Sequence, residues 1–401
     1  MKLRLIAGTV LVVEIATALV LIRWTDRARV QPTDFVNFYV GASIVRSGSG
    51  ANLYRPETQV ATYQSLLGRK SNQYFLHPPF EALALAPLSL LSLERAFILW
   101  SLMNVAFLGF LPLILAKCVP WIEARPYAGL LAFCLLPSLT ALTLGQDSIL
   151  LLFVICLSYL LLSQKRDLAS GLALSLATIK FQYVVILLLF LMLSRRWRLV
   201  AGLGLGCVFL AAVSSWVVGW HGFTDYFKFL RTFDAHSGYG SLHPALMANV
   251  RGFAAGMGWP NRFFVYAMEA FLIAVGALAA WANRHRPSDG LMFALFLMIA
   301  LAASPYAHFS DLTVSFLPIV LALDRLYTAG LQDPSQKVLL FCCVAMFVLP
   351  YLLVLLGGHY WWNSRIFLVF PLLVVFILAL AAEIDATSCY GKRQMAPRIF
   401  C

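Results

Sequence analysis

Seven ionisable residues stand at or beside the ends of apolar runs in a chain that is otherwise short of charge: Asp34, Glu81, Asp147, Lys180, Arg251, His308 and Asp311. A charge at membrane depth costs roughly 2.5–3.5 kcal/mol on insertion scales, so each is a candidate for function. Asp34 can act as a general base, taking the proton of an acceptor hydroxyl as that hydroxyl attacks an activated carbon. With Thr33 before it, Asp34 equally suits the N-cap of a helix, and both readings stay open. Lys180 sits deep in an apolar run, where it offers a compact positive charge to a phosphate. Its other reading is a structural pair with a carboxylate such as Asp147. Arg251, beside Gly252, suits either a two-point phosphate contact or an interfacial anchor.

Gly145-Gln146-Asp147 separates two apolar runs. Gln146 and Asp147 can hold a ligand by hydrogen bonds, but capping of the helix that starts at Ser148 is the preferred reading of Asp147. His308 and Asp311, three residues apart, share a helical face as a base and its orienting group, or His308 is a satisfied interfacial histidine. Two ligands are too few for a metal site. Trp220, Trp361 and Trp362 read as aromatic anchors at the membrane boundary.

These residues need a membrane scaffold to position them. The 401 residues are 61% hydrophobic and 12% charged, with a mean hydropathy of +0.82. Soluble domains run nearer about 45–50% apolar and 25% charged, so a soluble fold is excluded. The net charge of +12 is assigned to short loops that fix topology and meet lipid head groups, not to nucleic acid. The eight cysteines lie largely in or beside apolar runs with no CxxC or Cys/His spacing, which argues against a disulfide framework.

Candidate spans fall near 5–22, 80–92, 95–116, 127–143, 147–163, 168–181, 182–194, 199–219, 263–282, 291–304, 309–324, 338–356 and 366–383. The first is read as a retained helix, since Glu14 interrupts it and no small-residue cleavage site follows. The whole is expected to be one all-α polytopic membrane domain over 1–401, with roughly ten to thirteen segments, some short or re-entrant. Basic clusters place both ends inside if 80–92 does not cross and 168–194 bends back midway. That leaves an outer loop at 23–79, core segments at 80–219, a second outer loop at 220–262, C-terminal segments at 263–383 and a cytoplasmic tail at 384–401. Within the first loop the pattern Tyr39, Ala42, Ile44, Val45 predicts a short helix along the membrane surface. Gly48 and Gly50 break it, and a second helix starts near Glu57.

The run Asp34-Phe35-Val36-Asn37-Phe38-Tyr39-Val40-Gly41-Ala42, then Leu53-Tyr54, then Phe75-Leu76-His77-Pro78-Pro79-Phe80 with Pro87-Leu88 and Trp100, resembles glycosyltransferase family 87. Gly145-Gln146, Gly171 through Lys180, Arg195-Arg196-Trp197, and Ser304-Pro305-Tyr306 leading to Asp311 extend the likeness over roughly residues 30–325. His77 stands where an aromatic is commoner, and Gln182 near a usual proline. The resemblance implies a C-type glycosyltransferase fold in the cell (inner) membrane, with the active site on the outer or periplasmic side. It implies a polyprenyl-phosphate-linked sugar as donor, a glycolipid or glycan hydroxyl as acceptor, inversion, and no metal or cofactor. Asp34 is then the base; Lys180, Arg251, His308, Asp311, Gln146, Tyr39 and His77 are the candidate binding residues.

A transporter or flippase of lipid-linked glycans is the competing expectation, because it too wants broken helices, a basic cavity and aromatic loops. It has no need of a single base at Asp34. A non-enzymatic scaffold does not explain a buried Lys180.

Overall fold

The computed structural model describes residues 25–31, 33–68, 73–235, 244–259, 261–284, 290–357 and 365–395, with scattered positions before residue 25. Half of the span expected at 5–22 falls outside the described residues, as do His236, Tyr239, His243, Trp361 and Trp362. The described residues form helices and no strand, since a segment in lipid must satisfy its own backbone. One isolated bridge, Met247 to His308, pins two loops together.

Among the described residues seven helices are long and apolar enough to cross a membrane: Leu93–Leu115, Asp167–Leu193, Trp197–Thr232, Arg262–Ala282, Phe309–Ala329, Pro334–Leu356 and Ile366–Ala386. Pro126–Cys134 and Leu136–Leu144 meet at 62° and make an eighth if they are one broken span. Pro79–Leu90, Ser148–Ser163 and Gly290–Ala303 are apolar but shorter.

Four expectations need correction. The stretch 168–194 does not bend back: Asp167–Leu193 is a single 27-residue run, carried past its middle by a 3-10 turn at Leu176–Lys180. No proline or glycine interrupts that middle, and Lys180 finds its partners inside the protein. The loop expected to open at 220 stays helical to Ala235, changing direction at Gly219, whose φ of +71° marks the kink. The C-terminal helix continues through Met395 instead of ending near Glu383. Phe35–Arg46 is a helix as predicted, but Phe35 through Ile44 are all buried, so it is wrapped by protein instead of resting one bare face on a membrane.

Two apolar cores result. One gathers Val30 to Trp100 around Phe35–Arg46 and takes in Val218, Tyr226 and Phe229 from beyond the Gly219 kink. The other spans Leu108 to Ile384. In the first core Gln59 acts as a latch, donating to the Leu53 carbonyl at 2.8 Å and accepting from the Phe75 N–H at 2.7 Å. Helix Pro56–Leu67 starts on a proline and stops at Gly68, whose φ is +71°.

The helices Asp167–Ser175 and Trp197–Ala235 touch backbone to backbone. A Cβ added at Gly171 would lie 2.1 Å from the Leu199 carbonyl oxygen, and one at Gly202 the same distance from that of Leu168. Small residues allow this approach where lipid supplies no hydrophobic drive between helices. Gly202→Val must push the pair apart, with an expected cost of about 1–3 kcal/mol or more. Thermal unfolding of the purified variant in detergent checks this, and an unchanged Tm would mean that the two backbones are not in contact.

Candidate active site

A cleft opens between the two cores. Asp34, His77, Gln146, Lys180, His308 and Asp311 all face it, six of the eight residues expected at the site. Asn37, Phe38, Tyr226 and Tyr306 share its wall.

Four consecutive residues organise it. Helix Leu136–Leu144 stops at Gly145, whose φ of +66° admits glycine readily, and Gln146 closes the end by donating its N–H to the Ala141 carbonyl at 2.8 Å. Trp100 Nε1 holds the Gly145 carbonyl at 2.9 Å, while a Cβ on Gly145 would meet that of Phe35 at 2.7 Å. The turn aims three side chains in different directions. Gln146 Nε2 donates to Asp34 Oδ2 at 2.6 Å. Asp147 Oδ1 lies 2.8 Å from Lys180 Nζ. Ser148 Oγ donates to Asp311 Oδ1 at 2.6 Å and accepts from Lys180 at 3.1 Å.

Neither capping reading is realised. Asp34 and Asp147 both occupy N-cap positions, yet neither side chain bonds to the backbone of the helix it precedes. Each instead reaches a partner more than 30 residues away, which corrects the preferred reading of Asp147.

Asp34 is half-buried, and burial raises its carboxyl above the usual aspartate range. The Gln146 hydrogen bond and the positive charges of His308, Lys180 and His77 oppose that rise. A carboxylate that binds a proton more readily than usual, one oxygen held and the other available, suits a general base.

Lys180 is clamped between Asp147 and Asp311. Asp311 is saturated: Oδ1 receives Ser148 and Lys180, while Oδ2 accepts from the Tyr183 hydroxyl at 2.8 Å and the His308 N–H at 3.0 Å. Its relation to His308 thus runs through the backbone, not the shared helical face expected from their spacing. His77 Nδ1 stands 3.0 Å from Glu81 Oε2 and 3.4 Å from Asp147 Oδ2. Burial pulls the His77 imidazole down, but those two carboxylates more than offset it and hold it above its ordinary value. Tyr54 fixes the segment by donating to the His77 carbonyl at 2.6 Å.

Two expected residues lie elsewhere. Tyr39 packs in the first core and donates to the Leu91 carbonyl at 2.7 Å, because helical spacing turns it away from the face that Asp34, Asn37 and Phe38 present. Arg251 stands behind the cleft, its guanidinium 5.2 Å from the centre of the Tyr306 ring.

A family model described as glycosyltransferase family 87 matches residues 75–305, more than half of the chain. The chain belongs to glycosyltransferase family 87. No curated protein and no solved structure matches it. As a family 87 member the protein is a glycosyltransferase, which implies a sugar donor and an acceptor. Asp34, His308 and Asp311 lie outside the matched stretch and reach the cleft from either side of it.

Tyr226 and Leu230, which also line the transferase cleft, escaped sequence reasoning because they follow the Gly219 kink. The unbroken aromatic spacing after Gly219 was the one available signal. Gln146 supplies a direct check on Asp34. A base works ionised, so kcat/KM should fall as pH drops through a pKa above the ordinary aspartate range. Gln146→Ala removes a donor that favours the ionised form, so that limb should shift to higher pH. A pH–rate profile reads the shift, and a limb that stays in place would detach Gln146 from the reacting group.

Proposed function

We propose that the protein moves a hexose, with mannose a leading case, from a polyprenyl-phosphate donor to a hydroxyl of a glycolipid or glycan at the outer face of the cell membrane. The observation that carries the donor assignment is a second, apolar groove that shares Phe181 with the cleft. It is lined by Phe181, Val184, Leu188, Met192, Leu203 and Gly204 among others, with a volume of about 330 Å³. Phe181 and its neighbour Thr178 bracket Lys180, and Phe181 lines both spaces. A donor with a long hydrocarbon tail and an anionic head needs this pairing: a wall of aliphatic side chains ending at a polar, cationic chamber.

The chemistry needs little else. The acceptor oxygen forms a bond to the anomeric carbon while the bond from that carbon to the phosphate oxygen breaks, its electron pair leaving with the phosphate. Attack from the opposite side inverts the centre, and Asp34 takes the acceptor proton. A phosphate leaves as a stable anion, so it needs positive charge more than a general acid. Lys180 supplies that charge with Asp147 and Asp311 holding it in place, and His308 faces the same chamber. Arg251 stands behind Tyr306, outside the cleft wall.

Two measurements test the reading. Asp34→Asn keeps the shape and removes the base, so transfer from a radiolabelled polyprenyl-phosphate hexose to a lipid extract should fall by about 10²–10⁴-fold while donor binding persists. Transfer equal to wild type would take Asp34 out of the mechanism, and no transfer by the wild-type protein itself would favour a flippase. Gly204 has open space where a side chain would start, so Gly204→Phe fills the groove without a backbone clash. It should raise KM for a long-chain donor about tenfold, worth about 1.4 kcal/mol, and leave a short-chain analogue nearly unaffected. Equal effects on both donors would place the tail elsewhere.

A further inference from the structure

We propose that His77, Glu81 and Asp147 form a binding site for one divalent transition-metal cation on the wall of the cleft. One ligand atom from each lies within 4.8 Å of the others. His77 Nδ1 is 3.0 Å from Glu81 Oε2 and 3.4 Å from Asp147 Oδ2. Ligand bonds of about 2.0–2.2 Å place neighbouring donor atoms about 3.0–3.5 Å apart around a single ion, so these separations are edges of a coordination polyhedron. Imidazole with two carboxylates suits Zn²⁺ or Mn²⁺ better than a cation that takes oxygen ligands alone.

A second observation points the same way. Glu81 is 3% exposed and Asp147 fully buried; Asp147 Oδ1 is ion-paired with Lys180, but neither Glu81 oxygen nor Asp147 Oδ2 receives a hydrogen bond of good geometry. Glu81 Oε1 has no donor near it, and the His77 Nδ1 contact is close without being aligned as a hydrogen bond. Buried carboxylates are ordinarily hydrogen-bonded, paired or bound to a metal. Glu81, Asp147 and Asp311 gather around His77 and Lys180, so the pocket is rich in carboxylate oxygen.

The site joins two elements distant in sequence. His77 and Glu81 flank the Pro78-Pro79 helix start, and Asp147 belongs to the turn after Gly145. His77 brings the cation to the cleft, and three protein ligands leave positions open for water or a substrate oxygen. With a phosphate-bearing donor that oxygen would be a phosphoryl oxygen, and this role rests on the donor reading above. The site itself does not, so it is tested without donor.

Untagged full-length protein in detergent, stripped with chelator, is equilibrated with Mn²⁺ or Zn²⁺ separately, and bound metal is counted by mass spectrometry after desalting. One equivalent of at least one of the two is expected, with a rise in Tm on binding. Glu81→Gln, which keeps the side chain's size, and His77→Phe should each weaken uptake at least tenfold. Asp225→Asn, an exposed carboxylate paired with Lys228, should not change it. Elution and Tm of the stripped variants show whether they are folded. Less than a tenth of an equivalent on wild-type protein would overturn the site and leave His77 a buried imidazolium between two acids. Uptake unaffected by Glu81→Gln and His77→Phe would overturn it equally. Metal uptake with no transfer from polyprenyl-phosphate hexoses would retain the site and reject the donor.

Discussion

An ammonium held out of water between two carboxylates is the constraint on which the cleft depends. Lys180, Asp147 and Asp311 come from three separate helical segments, and each is at least nine-tenths buried. Removing such groups from water costs several kcal/mol per ion, and their attraction repays it only when the geometry is close and the remaining lone pairs are satisfied. Asp311 meets that condition with four donors, and Ser148 bridges Lys180 to Asp311. The cluster is therefore a device for fixing position more than a source of net stability. It ties the 3-10 turn at Leu176–Lys180, the start of Ser148–Ser163 and the start of Phe309–Ala329 into one wall.

That wall faces the first core, which carries Asp34 and His77. Only a few side chains cross the gap, and Gln146 and Asp147 are the important ones. The turn at Gly145 matters because it lets neighbouring residues point at opposite partners: Gln146 toward Asp34, Asp147 toward Lys180 and His77. Its carbonyl is held by Trp100 and its missing side chain leaves room for Phe35, so the turn is locked from both cores. A carboxylate in one core is thereby registered against an ammonium in the other.

The same segment that presents Lys180 to the polar chamber presents Phe181, Val184 and Leu188 to the apolar groove. A change of one residue along the turn is a change of phase, from charge to hydrocarbon. Close packing of Asp167–Ser175 on Trp197–Ala235 through Gly171 and Gly202 holds that boundary in place. Family 87 membership assigns glycosyl transfer to the chain, and on the donor proposed above this boundary is where its sugar would be presented.

Much of this was legible in the linear chain. Apolar runs of membrane length, the polar stretch with Asp34, the glycine stops and the Pro78-Pro79 start announced helices and breaks, because backbone satisfaction in lipid and the φ limits of glycine and proline are local rules. The scarcity of charge made Asp34, Lys180 and Asp311 visible, since each must have a reason to be buried. Partners were another matter. That Asp34 would meet Gln146, that Lys180 would be shared between Asp147 and Asp311, and that Tyr39 would turn into the core while Tyr226 turned into the cleft depend on contacts across more than 30 residues. The bend expected within 168–194 is absent because a polar residue turns the chain only if no partner waits for it in the fold, whereas at Gly219 the chain does turn and simply stays helical beyond it. Local chemistry in the sequence determined which segments were helices and which residues were costly to bury; the packing of distant segments alone decided which of those costs were met by one another and so where the cleft lies.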